Sequence, residues 1–138
     1  MSSGPASKTN RLIADFLLQF QSCFIRGGRG AKVALILVQT AERNGESAGS
    51  LMVTFEWSDW RNGRFWWIQS VYVRPDWRRQ GVFSALYRHV ELLASNTPQV
   101  IGLRLYVEEN NKRAQRTYKA LGMVNPSYLV MEAMLDRK

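Results

Sequence analysis

The sequence predicts one mixed α+β domain, and three observations carry that expectation. Two Asn–Gly dipeptides, Asn44–Gly45 and Asn62–Gly63, separate three runs rich in Val, Ile, Leu and aromatic residues, the pattern of an antiparallel meander. Beyond Pro75 the texture changes to helix, strand, helix, strand, with apolar residues recurring at three- and four-residue spacings in the helical parts. The length, 138 residues, and a composition of 46 per cent hydrophobic and 22 per cent charged residues suit a single globular unit that needs no metal or disulfide staple.

Residues 1–9 are small and polar and read as a flexible tail, leaving 10–138 as the domain. Asn10 can cap a helix whose apolar positions are Leu12, Ile13, Phe16, Leu17, Phe20 and Phe24. Gly27, Gly28 and Gly30 end it. With Arg26 and Arg29 they form a flexible connection rather than a phosphate loop, because no Gly-Lys-Ser/Thr follows. Strands are expected over 33–40, 49–57 and 65–73, and Pro75, which lacks a ladder donor, stops the third.

After Gly81 a helix runs to about Ala94, with Val82, Ala85, Leu86, Val90 and Leu93 on one face. Residues 100–107 form the next strand, with Leu103 and Leu105 on one side. Asn110 or Asn111 caps a second helix that groups Ala114, Tyr118 and Leu121, and Gly122 sits where a left-handed cap belongs. Residues 128–135 read as a last strand. A helical crossover between the third and fourth strands lets them lie parallel in an otherwise antiparallel sheet.

Composition also narrows the chemistry. One cysteine, Cys23, excludes an internal disulfide and a cysteine-built metal cluster, and one histidine, His89, excludes a multi-histidine site; no metal is expected. The run from Leu12 to Phe20 is interrupted by Asp15 and Gln19 and falls far short of the roughly 20 residues that span a bilayer. The reading is therefore a cytoplasmic protein without a membrane partner. Nineteen basic residues against eleven acidic ones leave a net charge of +8, which attracts polyanions. Nine basic residues and four acids lie between Arg74 and Lys119, so that stretch holds five of the eight net charges.

The informative segment is Val71-Tyr-Val-Arg-Pro-Asp-Trp-Arg-Arg-Gln-Gly-Val-Phe-Ser-Ala-Leu86, a strand that enters an arginine- and glycine-containing turn and opens a helix. The first amides of a helix lack internal partners and sit at its positive end, so a diphosphate placed there accepts several backbone hydrogen bonds. Gly81 permits close approach, and Arg78 and Arg79 add charge. An ordinary strand-to-helix loop with a solvated basic face fits the residues equally well.

This segment resembles the acyl-CoA-binding motif of the GNAT acetyltransferase superfamily, Val-x-Pro-x-x-Arg-x-x-Gly-x-Gly/Ala, through Val73, Pro75, Arg78 and Gly81; Phe83 departs, standing at the second small position. A second block, Leu105, Val107, Asn111, Ala114, Tyr118, Leu121, Gly122 and Met123, resembles the next motif of that superfamily. The resemblance runs from about Val33 to Leu135 and departs at the amino end, where the family has a strand and two helices and this chain has room for about one helix.

The resemblance implies a mostly antiparallel sheet with a splayed parallel strand pair, flanking helices, and acetyl-CoA in the splay with CoA as product. Backbone groups of Val71, Tyr72 and Val73 would meet the pantetheine arm. The turn Arg78, Arg79, Gln80, Gly81, Val82, Phe83 and Ser84 would hold the diphosphate, and Asn111 would either contact the cofactor or cap its helix. The reaction it implies is direct attack of an amine on the thioester. Tyr118, with an ordinary phenol pKa of about 10, is the candidate proton donor to the thiolate, and a core aromatic otherwise. Gln69 and Ser70 offer no base; Glu56 and Glu108 are the favoured candidates, with Asp59 or loss of the amine proton to solvent as alternatives, and His89 is expected to be structural. Trp57, Trp60, Trp66 and Trp67 with Glu56 and Asp59 suggest a cationic acceptor, a small amine or a protein amino group, although adjacent Trp66 and Trp67 must face opposite sides of a strand. A homodimer is compatible with this reading. The alternative is a basic module that binds nucleic acid or protein on an inactive scaffold of the same kind.

Overall fold

The structure, a computed structural model, describes residues 17–25, 34–43 and 45–137. It falls into two compact units, Met1–Leu105 and Tyr106–Lys138. The first unit is built on a five-stranded sheet in sequential order: β1 (Leu17–Ile25), β2 (Ala34–Arg43), β3 (Glu46–Ser58), β4 (Gly63–Val73) and β5 (Val100–Arg104). The first four strands pair antiparallel, and β5 pairs parallel to β4 after the crossover helix α1 (Val82–Ser95).

The expected meander and crossover are present, but the expected amino-terminal helix is not: Leu17 to Phe24, its described part, belong to β1. That segment carries two periods at once, since Leu18, Phe20, Ser22 and Phe24 also alternate with Gln19, Gln21 and Cys23. The long β2 supplies a ladder that runs from Leu17↔Glu42 to Ile25↔Ala34, and tertiary pairing decides between the two periods. Asn10, Leu12, Ile13 and Phe16, and the glycine connection after the strand, lie outside the described residues. So does Asn44, although Gly45 has the positive φ of 78° expected of its turn. The second turn is wider than Asn62–Gly63 alone. Ser58 pairs with Gly63, leaving a four-residue loop in which Asn62 is left-handed at φ 47° and its amide bonds the Asp59 carbonyl at 3.3 Å.

The core of this unit lies between one sheet face and α1. Leu51 and Val53 of β3 and Trp66 and Ile68 of β4 are buried, as are Val82, Ala85, Leu86, Tyr87, Val90 and Ala94 of the helix. Leu93, expected on the buried face, is half-buried. The alternation is strict where it matters: Trp66 packs edge-on against Phe55, with ring centroids 5.7 Å apart, while Trp67 points to the opposite face.

Within Tyr106–Lys138 the regular element is α2 (Lys112–Ala120). Asn111 is its cap, with Oδ1 accepting from the Ala114 amide at 3.1 Å. The helix closes as a Schellman motif: the Gly122 amide bonds the Lys119 carbonyl, the Met123 amide bonds the Tyr118 carbonyl, and Gly122 takes φ 101°. The strand expected at 100–107 ends at Arg104. The last strand, expected at 128–135, is not formed; Leu129 and Met131 are more than nine-tenths exposed there. A β-prone sequence needs a ladder partner, and none pairs with this segment among the described residues.

Candidate active site

The site begins with an irregularity in β4. Ser50 pairs with Tyr72 and Met52 with Gln69, so Ser70 and Val71 together oppose Leu51 in a β-bulge. Ser70 adopts φ 48°, a left-handed conformation for a non-glycine residue. The bulge re-aims the end of the strand, where Val71 and Tyr72 are exposed although the strand interior is buried. On one side β4 stays bonded to β3 as far as Val73↔Gly49, and the Arg74 amide continues to the Ala48 carbonyl at 2.9 Å. On the other side the parallel ladder with β5 ends at Trp67↔Arg104. From Ile68 to Val73 that edge has no strand partner among the described residues. An open backbone edge of this kind can pair with an extended arm as an added strand would.

Beyond Val73 the chain enters the turn that the sequence marked. Arg74 grips Asp76 through two hydrogen bonds of 3.2 and 2.8 Å, a 3-10 turn spans Pro75–Trp77, and Gln80 Nε2 donates to the Asp76 carbonyl at 2.9 Å. Arg79 and Gly81 have φ of 62° and 81°, and the second of these leads directly into α1. Gly81 accepts the Ala85 amide, so the helix ladder starts there, and helix geometry points the amides of Val82, Phe83 and Ser84 out of its first turn. No acidic residue lies in that turn. The residues therefore suit a diphosphate: outward amides, a left-handed glycine and the exposed Arg78 and Arg79.

Gly49 brings this helix start onto the sheet. A Cβ at Gly49 would lie 2.7 Å from the Tyr72 carbonyl oxygen and 3.0 Å from Val82 Cγ1, so only glycine lets β3, β4 and the first turn of α1 meet so closely. Phe83, the departure from the small-residue pattern, is half-buried and tilts its ring against Tyr87 one turn on, with centroids 6.2 Å apart. Arg78 folds back so that Nε donates to the Val73 carbonyl at 3.2 Å, occupying one lone pair of an acceptor expected to serve the pantetheine arm.

The structure thus gathers Val71, Tyr72, Val73, Arg78, Arg79, Gln80, Gly81, Val82, Phe83 and Ser84 at one end of the sheet. Glu56 stands elsewhere on it, at the far end of β3 beside the last β4–β5 pair. Its carboxylate accepts Trp67 Nε1 at 3.0 Å and Arg104 Nη1 at 2.8 Å. The four tryptophans form no common pocket: Trp66 is core, Trp67 binds Glu56, Trp57 is half-exposed and Trp60 at the hairpin tip is 99 per cent exposed. Sequence reasoning missed Arg104 and Phe65, which join Glu56 only through strand register.

Glu108, Asn111 and Tyr118 lie in the second unit. Asn111 spends its Oδ1 on the helix cap. Glu108 is exposed, and its main-chain carbonyl accepts Gln115 Nε2 at 3.0 Å. Burial raises the Tyr118 pKa above the ordinary 10.0. In the first unit burial lowers the His89 pKa below its ordinary 6.5. No group of metal-ligating side chains is found among the described residues, and no described helix is long and apolar enough to cross a membrane.

Comparison with known proteins places residues 10–123 on the model of the acetyltransferase (GNAT) family. Thialysine N-epsilon-acetyltransferase of Bos taurus is 37% identical over 91 residues, 65% of this chain and 52% of that protein. The Mus musculus protein of the same name is 37% identical over 83 residues, 56% of this chain and 48% of that one. The chain thus spans about half the length of these relatives. A possible acetyltransferase from Clostridium difficile 630 superposes with a TM-score of 0.68 at 36% identity, covering 74% of this chain and 67% of that one. An AAC(6')-Iy structure in complex with a CoA bisubstrate analogue shares the fold, with a TM-score of 0.61 at 16% identity over 73% of this chain and 70% of that one.

Proposed function

The chain belongs to the GNAT acetyltransferase family, and from that premise we propose that it transfers an acetyl group from acetyl-CoA to a primary amine. One observation carries the reading: β4 runs past the end of its parallel partner and delivers an open backbone edge to an amide-lined, arginine-flanked turn. In this reading the amides of Arg79, Gln80, Gly81, Val82, Phe83 and Ser84 hold the diphosphate, and Val71 and Val73 hold the pantetheine arm. Acetyl-CoA supplies an activated acetyl thioester when bound. The acceptor is a small amine of the kind that gives the relatives their name, with a protein amino group as the other class.

The residues then divide the proton work. As the carbon–nitrogen bond forms and the carbon–sulfur bond breaks, the Tyr118 phenol gives its proton to the departing sulfur. The phenol, whose pKa burial raises above its ordinary 10.0, is protonated at neutral pH, as a donor requires. The proton lost by the amine leaves through Glu108 or solvent water and restores the phenol. Glu56 is the less available of the two expected bases, because each of its oxygens already accepts a hydrogen bond.

Thermal unfolding with acetyl-CoA, against ADP and a short duplex DNA, tests the cofactor half of this reading. At about 100 times its dissociation constant the ligand should stabilise the fold by roughly 2.7 kcal/mol. For a domain of this size that is a rise on the order of 10 °C. Thiol release with a panel of primary amines tests the rest. Stabilisation by DNA and not by acetyl-CoA would favour the nucleic-acid reading that the +8 charge suggests.

A further inference from the structure

Three strands are tied together at the point where the parallel pair parts. Glu56 of β3 and Arg104 of β5 are separated by β4, yet their side chains meet across it at 2.8 Å. Trp67, which is the β4 partner of Arg104 in the last rung of the parallel ladder, donates its indole proton to the other Glu56 oxygen. The Arg104 guanidinium carbon lies 3.6 Å from the centre of the Phe65 ring, within stacking distance. Gly102 makes room for that ring: a Cβ there would lie 2.9 Å from Phe65 Cε1. The Arg104 side chain is only 25% exposed, so this ion pair is partly withdrawn from water rather than waving at the surface.

The ladder beneath it is weak. It has four parallel rungs, with a register shift between the first two, and parallel pairing is slightly less stable per residue than antiparallel. We propose that Glu56 and Arg104 form a positioning clasp that fixes where β4 and β5 separate, and so sets the depth of the opening beyond Trp67. The proposal rests on the acetyltransferase reading above and reassigns Glu56 from proton transfer to geometry. A misplacement of about 1 Å at a reacting centre can cost on the order of 100-fold in rate, so a residue that holds the strand junction controls turnover without touching the acetyl group. The diphosphate turn is anchored by hydrogen bonds of its own, among Arg74, Asp76 and Gln80.

The test uses Glu56→Gln, Arg104→Gln and the double variant, with hydrogen exchange, acetyl-CoA calorimetry and pH-resolved kinetics on each. The clasp predicts that amide exchange at Gly102, Leu103 and Arg104 rises about tenfold or more in either single variant. It also predicts that kcat falls by a similar factor in both, with the double variant no worse than either single one. The KM for acetyl-CoA should stay within about twofold, and the acid limb of the pH–rate profile should keep its position. Unchanged exchange in β5, additive losses, or loss of the acid limb in Glu56→Gln alone would each overturn it, the last by restoring Glu56 as the base. Arg104→Lys, which keeps the charge but not the planar fork, should recover only part of the rate. A parent protein that releases no thiol with any amine sinks the acetyltransferase reading, whereas the exchange measurement still decides the clasp.

Discussion

The proton-donor role proposed for Tyr118 requires a neutral phenol. The phenol is half-buried on α2, and desolvation penalises its anion, so its pKa lies above 10.0. A donor to a thiolate must be protonated when the sulfur leaves, as a phenol is at neutral pH, and burial extends that range further into alkali. Tyr118→Phe replaces the hydroxyl with hydrogen and keeps the half-buried ring, so stability should fall by at most about 1.5 kcal/mol, the net worth of one hydrogen bond. Turnover should fall by roughly 100-fold, the lower end of what a positioned acid contributes, while calorimetry should return a nearly unchanged affinity for acetyl-CoA. A full rate in the variant would return Tyr118 to the role of a packing aromatic. Asn111 illustrates the opposite outcome at this scale. Its two sequence roles, cofactor contact and cap, compete for one side chain, and the 3.1 Å bond to the Ala114 amide assigns its oxygen to the cap.

Among the elements, what sequence could reveal followed from how local the deciding interaction is. α1 and α2 were legible because cap, apolar spacing and terminator all lie within one stretch of chain, as do the turn at Gly45 and the motif from Val73 to Gly81. β1 was misread because the segment carries both periods, and only β2, whose paired residues lie 9 to 25 positions further on, breaks the tie. The strand expected at 128–135 shows the converse, a β-prone segment without a ladder. Glu56 was legible as a residue of interest but not as half of an ion pair, since Arg104 is 48 positions away and reaches it only through the register of three strands. Local control makes α2 the cleaner subject for a stability test. Gly122 holds φ 101° with nothing within 4 Å of the position a Cβ would take, so alanine there meets backbone strain and no steric clash. Gly122→Ala should cost about 1–2 kcal/mol, the penalty for a left-handed non-glycine residue. Faster amide exchange at Met123, whose bond to Tyr118 closes the helix, would locate the loss.

At the scale of the whole fold, three titrating groups with displaced pKa values among the described residues shape how stability depends on pH. Burial lowers His89 below its ordinary 6.5, so under acid the unfolded chain takes up a proton that the folded chain declines. Stability is therefore full above about pH 6.5 and falls as the pH drops through the folded value. Tyr87 and Tyr118 act at the other end. Burial raises both above 10.0, with the charge of Glu91 adding to the effect at Tyr87. Above that pH the unfolded chain gives up protons that the folded chain retains, and stability falls again. Urea midpoints measured from pH 5 to 11 should thus form a plateau between roughly 6.5 and 10, with each flank no steeper than about 1.4 kcal/mol per pH unit for each group. His89→Gln should flatten the acid flank and leave the alkaline one in place, because it removes the only imidazole in the chain. An acid flank that survives the substitution would assign it to carboxylates instead, and His89 would then carry no linkage between protonation and folding.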